Sequence, residues 1–378
     1  MLIEIHMLKN YPPTNLNRDD TGAPKTCVFG GVNRGRISSQ CLKRSWRTSS
    51  LFQQEVGEEN LGIRTRKLPQ LVGEKLLEKG VSQEYVDAVL PKITGFGNKE
   101  GKETKDGKGT AQVIFYSTDD IQAVADCIQE KLDACGTVKD VKALKAKDLQ
   151  AAVADAKLRP VTLDIALFGR MVTSDAFRDV EASMQVAHAI STNRITLESD
   201  YFTAMDDLLS GETTEELGAA MIGDTDYNSS CYYVYTALDT DVLLENLKFS
   251  ADGEAIVRKA VPALVRTMAY TNPSGKQNSF AGHSLPSAIL IECKDKKIPT
   301  SLVNAFTEPV RPDHKGDLVK NSVAALAAET DMISRDFGLE VSKRLWFCVD
   351  KYDIQPESAH TACATLPEMI EALSDALN

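Results

Sequence analysis

Residues 18–47 concentrate side chains that bind anions. Seven basic residues and two acids give this segment a charge of +5, whereas the formal net charge of the chain is −11 and the remainder therefore carries −16. Arginine forks and lysine ammonium groups bind phosphate oxygens, and free backbone N–H groups at a helix N-terminus attract the same oxygens. The basic residues are Arg18, Lys25, Arg34, Arg36, Lys43, Arg44 and Arg47. The segment predicts a local site for a polyanion on an otherwise acidic protein.

A helix that begins at Ser38 is predicted to present part of this site. The serine hydroxyl can accept a hydrogen bond from the first helical turn, and Ile37 and Leu42 can form a hydrophobic staple around it. At 100° per residue, Leu42 and Trp46 share one face and Lys43, Arg44 and Arg47 share another. The helix therefore packs with one side and offers the other to an anion. A long loop over 11–31, rich in Pro, Asn, Asp and Gly, precedes it.

Strands interleaved with helices are predicted for the rest of the chain. The predicted strands span 2–9, 161–169, 183–191, 229–239, 287–293 and 341–349, and helical patterns span much of 56–158, 254–269, 317–335 and a last segment capped by Thr365 and Glu368. In the first strand, alternation places Glu4 and His6 on the side away from the core. Because regular βαβ units are absent from the pattern, the prediction is an α+β fold with helices on one face of a sheet.

The composition excludes several classes of protein. A 378-residue chain with 43% hydrophobic residues can bury a sizeable core, and no apolar run is long enough for a membrane span or a secretory signal. The eight cysteines lack metal-ligand spacing, so we expect reduced thiols and neither a disulfide framework nor a structural zinc. We therefore expect a cytoplasmic protein with no cofactor, no metal and no membrane partner.

Five blocks of the sequence, in order along the chain, resemble one family. They are "LNRDD" at 16–20, "FGGVNRGRISSQCLKRSWR" at 29–47, "LDIALFGRMVTS" at 163–174, "QVAHAISTNRI" at 185–195 with "DYFTAMDDL" at 200–208, and "SGKQNSFAGHS" at 274–284. Together they look like the backbone subunit of Cascade, the type I-E CRISPR surveillance complex. The resemblance covers almost the whole chain and is weakest in 56–158 and after about residue 300.

The resemblance implies a hand-like protein. An RRM-like (ferredoxin-like) palm would comprise 1–55 and 159–350, a helical fingers insertion 56–158, a thumb loop 196–228, and a C-terminal helical segment 351–378. Several copies would line a CRISPR guide RNA head to tail, together with other Cascade subunits, and would present the guide for pairing with target DNA in antiviral defence. Cleavage would belong to another subunit, so this chain would not be an enzyme.

The resemblance also implies site residues. The expected RNA-backbone contacts are Arg18, Arg34, Arg36, Ser38, Ser39, Gln40, Lys43, Arg44 and Arg47. Met171 would wedge against bases, although a buried core methionine is the alternative, and Lys276 and Gln277 would contact RNA unless they are ordinary loop residues. Lys99, Lys102, Lys105 and Lys108, in a glycine-rich loop, are possible DNA contacts. The thumb is strongly acidic here, which favours a steric role or a contact with a neighbouring subunit.

Two other functions remain open. Asp19 and Asp20 adjoin the basic loop, and paired carboxylates beside phosphate contacts can hold a metal ion for RNA cleavage, although such a pair is also a common turn former. A general single-stranded RNA-binding protein would stack bases on aromatic residues of its central strands, and the tyrosines of "CYYVYT" at 231–236 offer such positions. His188, on an alternating apolar strand, is expected to be a core histidine.

Overall fold

The structure is a computed structural model of the 378-residue chain and describes residues 1–154, 159–204 and 221–377. The strands of this part are β1 (Leu2–Thr14), β2 (Thr26–Phe29), β3 (Val32–Ile37), β4 (Ile63–Thr65), β5 (Ile114–Tyr116), β6 (Met184–Val186), β7 (Ala189–Ser191), β8 (Glu198–Ala204), β9 (Met221–Asp239), β10 (Pro286–Lys294), β11 (Lys343–Cys348) and β12 (Thr361–Cys363).

The helices of the described residues lie between and after these strands. They are α1 (Ser39–Arg47), α2 (Ser50–Val56), α3 (Leu68–Glu78), α4 (Gln83–Ile93), α5 (Thr118–Asp133), α6 (Val138–Ala143), α7 (Ala146–Ala154), α8 (Leu163–Phe168), α9 (Thr240–Asn246), α10 (Gly253–Tyr270), α11 (Gln277–Phe280), α12 (Leu318–Phe337) and α13 (Leu366–Ala376). Short 3₁₀ turns cover Glu58–Asn60, Thr94–Gly97 and Val303–Phe306.

The chain divides into two compact units. The first contains residues 1–49, 186–237 and 262–378, and the second contains 50–185 and 238–261. A mostly antiparallel sheet dominates the first unit, with its strands in the order β12-β11-β10-β1-β9-β7-β3-β2. The predicted α+β class is therefore confirmed. The assignment of these units to palm and fingers stays a prediction.

Strand β1 is buried on both faces, which corrects the predicted half-buried strand. Glu4 and His6 are both 0% exposed. The Glu4 carboxylate accepts from the hydroxyl of Tyr235 and pairs with the Lys294 ammonium. His6 Nδ1 lies 2.8 Å from the hydroxyl of Tyr233. Alternation predicted the two faces correctly, but partners from distant strands cover the polar one, because a buried polar group needs a hydrogen bond.

The predicted strand over 161–169 is wrong, since Leu163–Phe168 forms helix α8. Every residue from Leu163 to Leu167 is buried, so the segment has no exposed face to match its alternation. The Asp164 carboxylate accepts from the Gly62 amide at 2.9 Å. Gly169 ends the helix with a φ of 80°, a conformation that favours glycine. A short apolar run does not by itself distinguish a helix from a buried strand.

The second unit has a helical core of its own. The predicted face of α5 (Ile121, Val124, Ile128 and Leu132) is buried there, with apolar residues of α3, α4 and α7. The apolar core of the first unit contains Leu290 of β10, Leu326 of α12 and Trp346 of β11. Other predicted elements are confirmed with shifted ends, namely α10, α12, β9, β10 and β11, whereas the single strand predicted over 183–191 is divided into β6 and β7.

The C-terminal segment, predicted as helical over 351–378, also contains strand β12, which pairs in parallel with β11. Helix α13 follows it, and Thr365 Oγ1 accepts from the Glu368 amide at 3.3 Å as predicted for its N-cap. Residue 378 and four residues of the predicted fingers, 155–158, lie outside the described residues. All eight cysteines lie within the described ranges and are free thiols.

Candidate nucleic-acid interface

Helix α1 begins as the sequence predicts. Ser38 is its N-cap in an extended conformation, and its Oγ accepts from the Cys41 amide at 3.3 Å. On one side of the helix Leu42 and Trp46 are buried, at 4% and 2% exposure. Because this apolar side is buried, the orientation of the other side is set by packing and not by the basic residues themselves.

The other side of α1 forms a basic face, Lys43, Arg44 and Arg47. Arg44 is exposed and the other two side chains are half-buried. Arg44 and Arg47 lie in the last turn, where cations also interact favourably with the helix dipole. Partial burial lowers the pKa of Lys43 from its usual value. Gln40 and Ser39, exposed and half-exposed, extend this face toward the helix start.

The loop 15–25, here named the Arg18 loop, carries an exposed Arg18. The carboxylate of Asp19 accepts from the Thr21 hydroxyl at 2.8 Å and from the amides of Thr21 and Ala23 at 2.9 and 3.1 Å. These hydrogen bonds, with the Thr21 hydroxyl first, lower the pKa of Asp19. One carboxylate oxygen thus organises the turn behind Arg18, as expected for a turn-forming aspartate.

The predicted RNA contact of Arg34 does not fit its position, because the side chain is 0% exposed. Its guanidinium donates to five backbone carbonyls. They belong to Phe29 (3.3 Å), Ser191 (3.1 Å), Thr192 (2.7 Å), Phe306 (2.7 Å) and Thr307 (3.2 Å). The fork therefore joins the β2–β3 hairpin to two distant segments. We assign Arg34 a structural role beneath the site.

Arg36 is half-buried, and its guanidinium donates to the Thr26 carbonyl at 3.1 Å and lies 3.1 Å from His188 Nδ1. His188 is exposed, so its predicted place in the core is wrong; the residue lies in the break between β6 and β7 and not on a strand. Partial burial, followed by the charges of Arg36 and Lys25, lowers the pKa of His188. A neutral imidazole accepts the arginine N–H and holds Arg36 at the surface.

The segment 274–277 lies against the Arg18 loop. Gly275 approaches so closely that a Cβ there would be 2.2 Å from the Leu16 carbonyl oxygen. Lys276 and Gln277 are half-buried, and the Gln277 amide donates to the Pro273 and Gly282 carbonyls at 2.8 and 3.3 Å. An open cleft of about 570 Å³ lies between the two segments, bordered also by Cys41. Arg18 and Ser274 thus share one concave surface.

The remaining predicted residues lie in the second unit. Met171 is 93% exposed, so the alternative of a buried core methionine is wrong. The preceding Arg170 pairs with the buried carboxylate of Asp120, which also accepts from Arg159 Nε at 2.7 Å. Val172 is held by the Asp179 carboxylate at 2.7 Å, so Met171 projects from an anchored loop. Lys99, Lys102, Lys105 and Lys108 are all exposed.

The tyrosines offered for base stacking are buried. Tyr232, Tyr233 and Tyr235 are 4%, 2% and 8% exposed, and the hydroxyl of Tyr232 lies over Gly35. Among the described residues no group of three or more His, Cys, Asp or Glu side chains is placed to hold a metal ion. Helices long and apolar enough to cross a bilayer are likewise not found in the described ranges.

Comparison with known proteins identifies the family. The sequence profile of the CT1975-like proteins matches residues 3–373, nearly the whole chain. The chain belongs to the CT1975-like protein family. No curated protein matches its sequence.

Two solved structures share the fold of this CT1975-like protein over the full length of both chains. One belongs to a "CRISPR RNA-guided surveillance complex, pre-nicking", with 24% identity and a TM-score of 0.83. The other belongs to a "CRISPR RNA-guided surveillance complex", with 22% identity and a TM-score of 0.71. Both matches cover 100% of each chain.

Part of the predicted thumb of this CT1975-like protein is an antiparallel arm. Strand β8 pairs with the first part of β9, from Glu198 opposite Tyr227 to Ala204 opposite Met221. Its described acids are Glu198, Asp200, Asp224 and Asp226, and lysine and arginine do not occur between residues 195 and 247 of the sequence. The tip, residues 205–220, lies outside the described residues.

Sequence reasoning missed two groups of residues in this CT1975-like protein. Arg64, Arg66 and Lys67 are exposed beside the lysine-rich loop, and Arg66 Nε donates to the Thr110 carbonyl at 2.6 Å. The pattern "IRTRK" at 63–67 was the available signal. Asn15 and Asn17, which flank Leu16 before Arg18, hold the Arg18 loop in place. The sequence signal for these two residues was the pattern of asparagines on either side of Leu16, since asparagine side chains often hydrogen-bond to the backbone in loops.

Proposed function

We propose that this protein is a guide-RNA-binding backbone subunit of a type I-E CRISPR surveillance complex. Several copies bind one CRISPR RNA head to tail and, with other Cascade subunits, present it for pairing with target DNA. The observation that carries the proposal is one surface in the first unit. It comprises Arg18 in its anchored loop, Arg36 beside His188, and the basic face of α1.

This surface suits a guide of any sequence. Its donors are charged groups and a helix start, which bind phosphate and ribose and read no base identity. The hydrogen-bonded turn around Asp19 and the packed side of α1 hold the donors before RNA arrives, which reduces the entropic cost of binding. The acidic remainder of the chain limits attraction of other polyanions.

Other features fit the same role. Met171, at 93% exposure on an anchored loop, can wedge apolar surface against bases, and the exposed lysines between 99 and 108 can meet target DNA. The acidic arm is suited to a neighbouring subunit more than to phosphate. The shared fold with chains of two surveillance complexes supports assembly of this kind, and we place it in the cytoplasm with the guide transcripts.

We propose no catalytic role. We assign Asp19 to the turn that supports Arg18, because one of its carboxylate oxygens accepts three hydrogen bonds within its own loop. A general single-strand binder would need a stacking platform, whereas Tyr232, Tyr233 and Tyr235 are buried. The general single-strand binder therefore lacks the aromatic residues that first suggested it.

Purification of a tagged copy from its host, followed by sequencing of the bound RNA, tests the proposal. One class of uniform-length transcripts derived from CRISPR repeats is expected. RNA of mixed sequence and length would favour the general binder, and magnesium-dependent loss of the RNA during incubation would favour the nuclease.

Replacement of Lys43, Arg44 and Arg47 by alanine tests the surface itself. Because each phosphate contact on a single strand contributes about 0.7 to the slope of log affinity against log salt, the slope is expected to fall by about 2. Lys296, Lys320 and Arg335, exposed elsewhere on the first unit, provide a control with the same loss of charge. Equal slopes for the two triple variants would remove the basic face from the site.

A further inference from the structure

Two asparagines tie the Arg18 loop to its surroundings. Asn15 is 0% exposed, and its Nδ2 donates to the Gly22 carbonyl at 2.9 Å and to the Asp226 carbonyl at 2.8 Å. Asn17 Oδ1 accepts from the Ser38 amide at 2.8 Å. Asn15 thus links the loop to the base of the acidic arm in β9, and Asn17 links it to the N-cap of α1.

The loop between these ties is itself well ordered by hydrogen bonds. The Lys25 amide donates to the Asn17 carbonyl at 2.8 Å, and the Asp19 amide donates to the Ala23 carbonyl at 2.9 Å. Arg18 pairs with Pro24 in an isolated β-bridge. The loop is therefore internally connected, and Asn15 and Asn17 link it to the neighbouring elements.

The burial of Asn15 has a cost that packing alone does not explain. Its Oδ1 is buried without a hydrogen-bond partner among the described residues. A buried unsatisfied oxygen is unfavourable, so a leucine, whose four side-chain heavy atoms have the same branched arrangement, would avoid this cost if shape were the only requirement. What asparagine provides, and leucine does not, is one donor group that joins two carbonyls from segments more than 200 residues apart.

We propose that Asn15 and Asn17 are positioning residues that set Arg18 against the basic face of α1 and the base of the arm. The inference rests on the proposed RNA-binding function and deepens it. Neither asparagine touches RNA. Without the Asn15 amide, the carbonyls of Gly22 and Asp226 lose their shared donor, the loop separates from β9, and the phosphate contact of Arg18 is lost.

A double-mutant cycle between Asn15→Leu and Arg18→Ala tests this inference. Each single variant is expected to lower the salt slope of RNA binding by about 0.7 and to weaken binding about fourfold at 0.15 M salt. Because Asn15 acts through Arg18, the double variant is expected to bind like Arg18→Ala alone. Asn17→Ala changes a half-buried position and is also expected to lower the salt slope. This variant provides a second test if Asn15→Leu does not fold.

Asn246→Leu is the matched control. Its Nδ2 also donates to two carbonyls, Ala166 at 3.0 Å and Glu181 at 2.8 Å, but in the second unit. It is expected to lower thermal stability and leave the salt slope unchanged. Additive losses in the Asn15–Arg18 cycle, or an unchanged slope in both asparagine variants, would overturn the inference. If the unmodified protein bound no guide RNA, the proposed function would fail instead, so the two failures are distinguishable.

Discussion

Substitution of Arg34 by lysine separates a buried positioning role from an RNA contact. The guanidinium donates five hydrogen bonds to carbonyls of three chain segments, near Phe29, Ser191 and Phe306. A lysine ammonium has three N–H donors and no planar fork, so at least two carbonyls lose a donor. At about 1.5 kcal/mol for each buried acceptor left unsatisfied, the expected loss is about 3 kcal/mol of unfolding free energy.

Tryptophan fluorescence during urea denaturation measures this loss in the unit concerned. The chain has two tryptophans, Trp46 and Trp346, and both are buried in the first unit at 2% exposure. The midpoint for Arg34→Lys should fall while the dependence on urea stays unchanged. Arg36→Lys is the control, because its side chain is half-buried and its loss of stability should stay below about 1 kcal/mol.

The opposite pattern would refute the reasoning. If Arg34→Lys unfolded at the urea concentration of the unmodified protein but weakened RNA binding, Arg34 would contact RNA directly through its fork. The five carbonyls would then be satisfied by other means. An equal destabilisation by both variants would instead indicate that the five buried hydrogen bonds of Arg34 contribute no more to stability than the two contacts of Arg36.

Two further predictions concern the first unit. Burial lowers the pKa of His6 to about 4 from 6.5. The unfolded chain therefore binds a proton more readily as the pH falls below 6.5, and about 2 kcal/mol of unfolding free energy is lost by pH 5. Urea denaturation of His6→Gln at pH 7 and pH 5 should lack this part of the pH dependence. Gly30→Ala should lower the unfolding free energy by more than about 2 kcal/mol, because φ is +60° and a Cβ would lie 1.7 Å from the Thr307 carbonyl oxygen. Gly31→Ala is the control. Gly31 has a φ of +77° with open space around it, so its unfolding free energy should fall by only about 1–2 kcal/mol in the same assay.

The helix that carries the basic face was predictable because its signals are local. Ser38 as N-cap, Ile37 and Leu42 beside it and the burial of Trp46 follow from spacing within about ten residues. The same holds for the α5 face and for the Thr365 cap of α13. The α8 segment failed because five buried residues in succession fit both a helix and a buried strand.

The positions of individual polar residues were less predictable. Arg34 and Arg36 are both arginines and lie two residues apart on one strand. Arg34 is buried against carbonyls that lie 157 to 273 residues later in the sequence, whereas Arg36 lies beside His188. His6 and His188 are reversed relative to expectation for the same reason. Exposure on a strand depends on what other segments cover, and a periodic pattern contains no information about that.

The sequence by itself determined where positive charge is concentrated, how α1 begins and which of its sides packs, because charge and helical periodicity are properties of neighbouring residues. Only the tertiary structure decided which of the basic residues reach the surface. It made Arg34 part of the core, exposed Met171, buried the three tyrosines of "CYYVYT", and joined the Arg18 loop to β9 through Asn15. These outcomes depend on hydrogen bonds and packing between residues hundreds of positions apart, which form only when the sheet assembles.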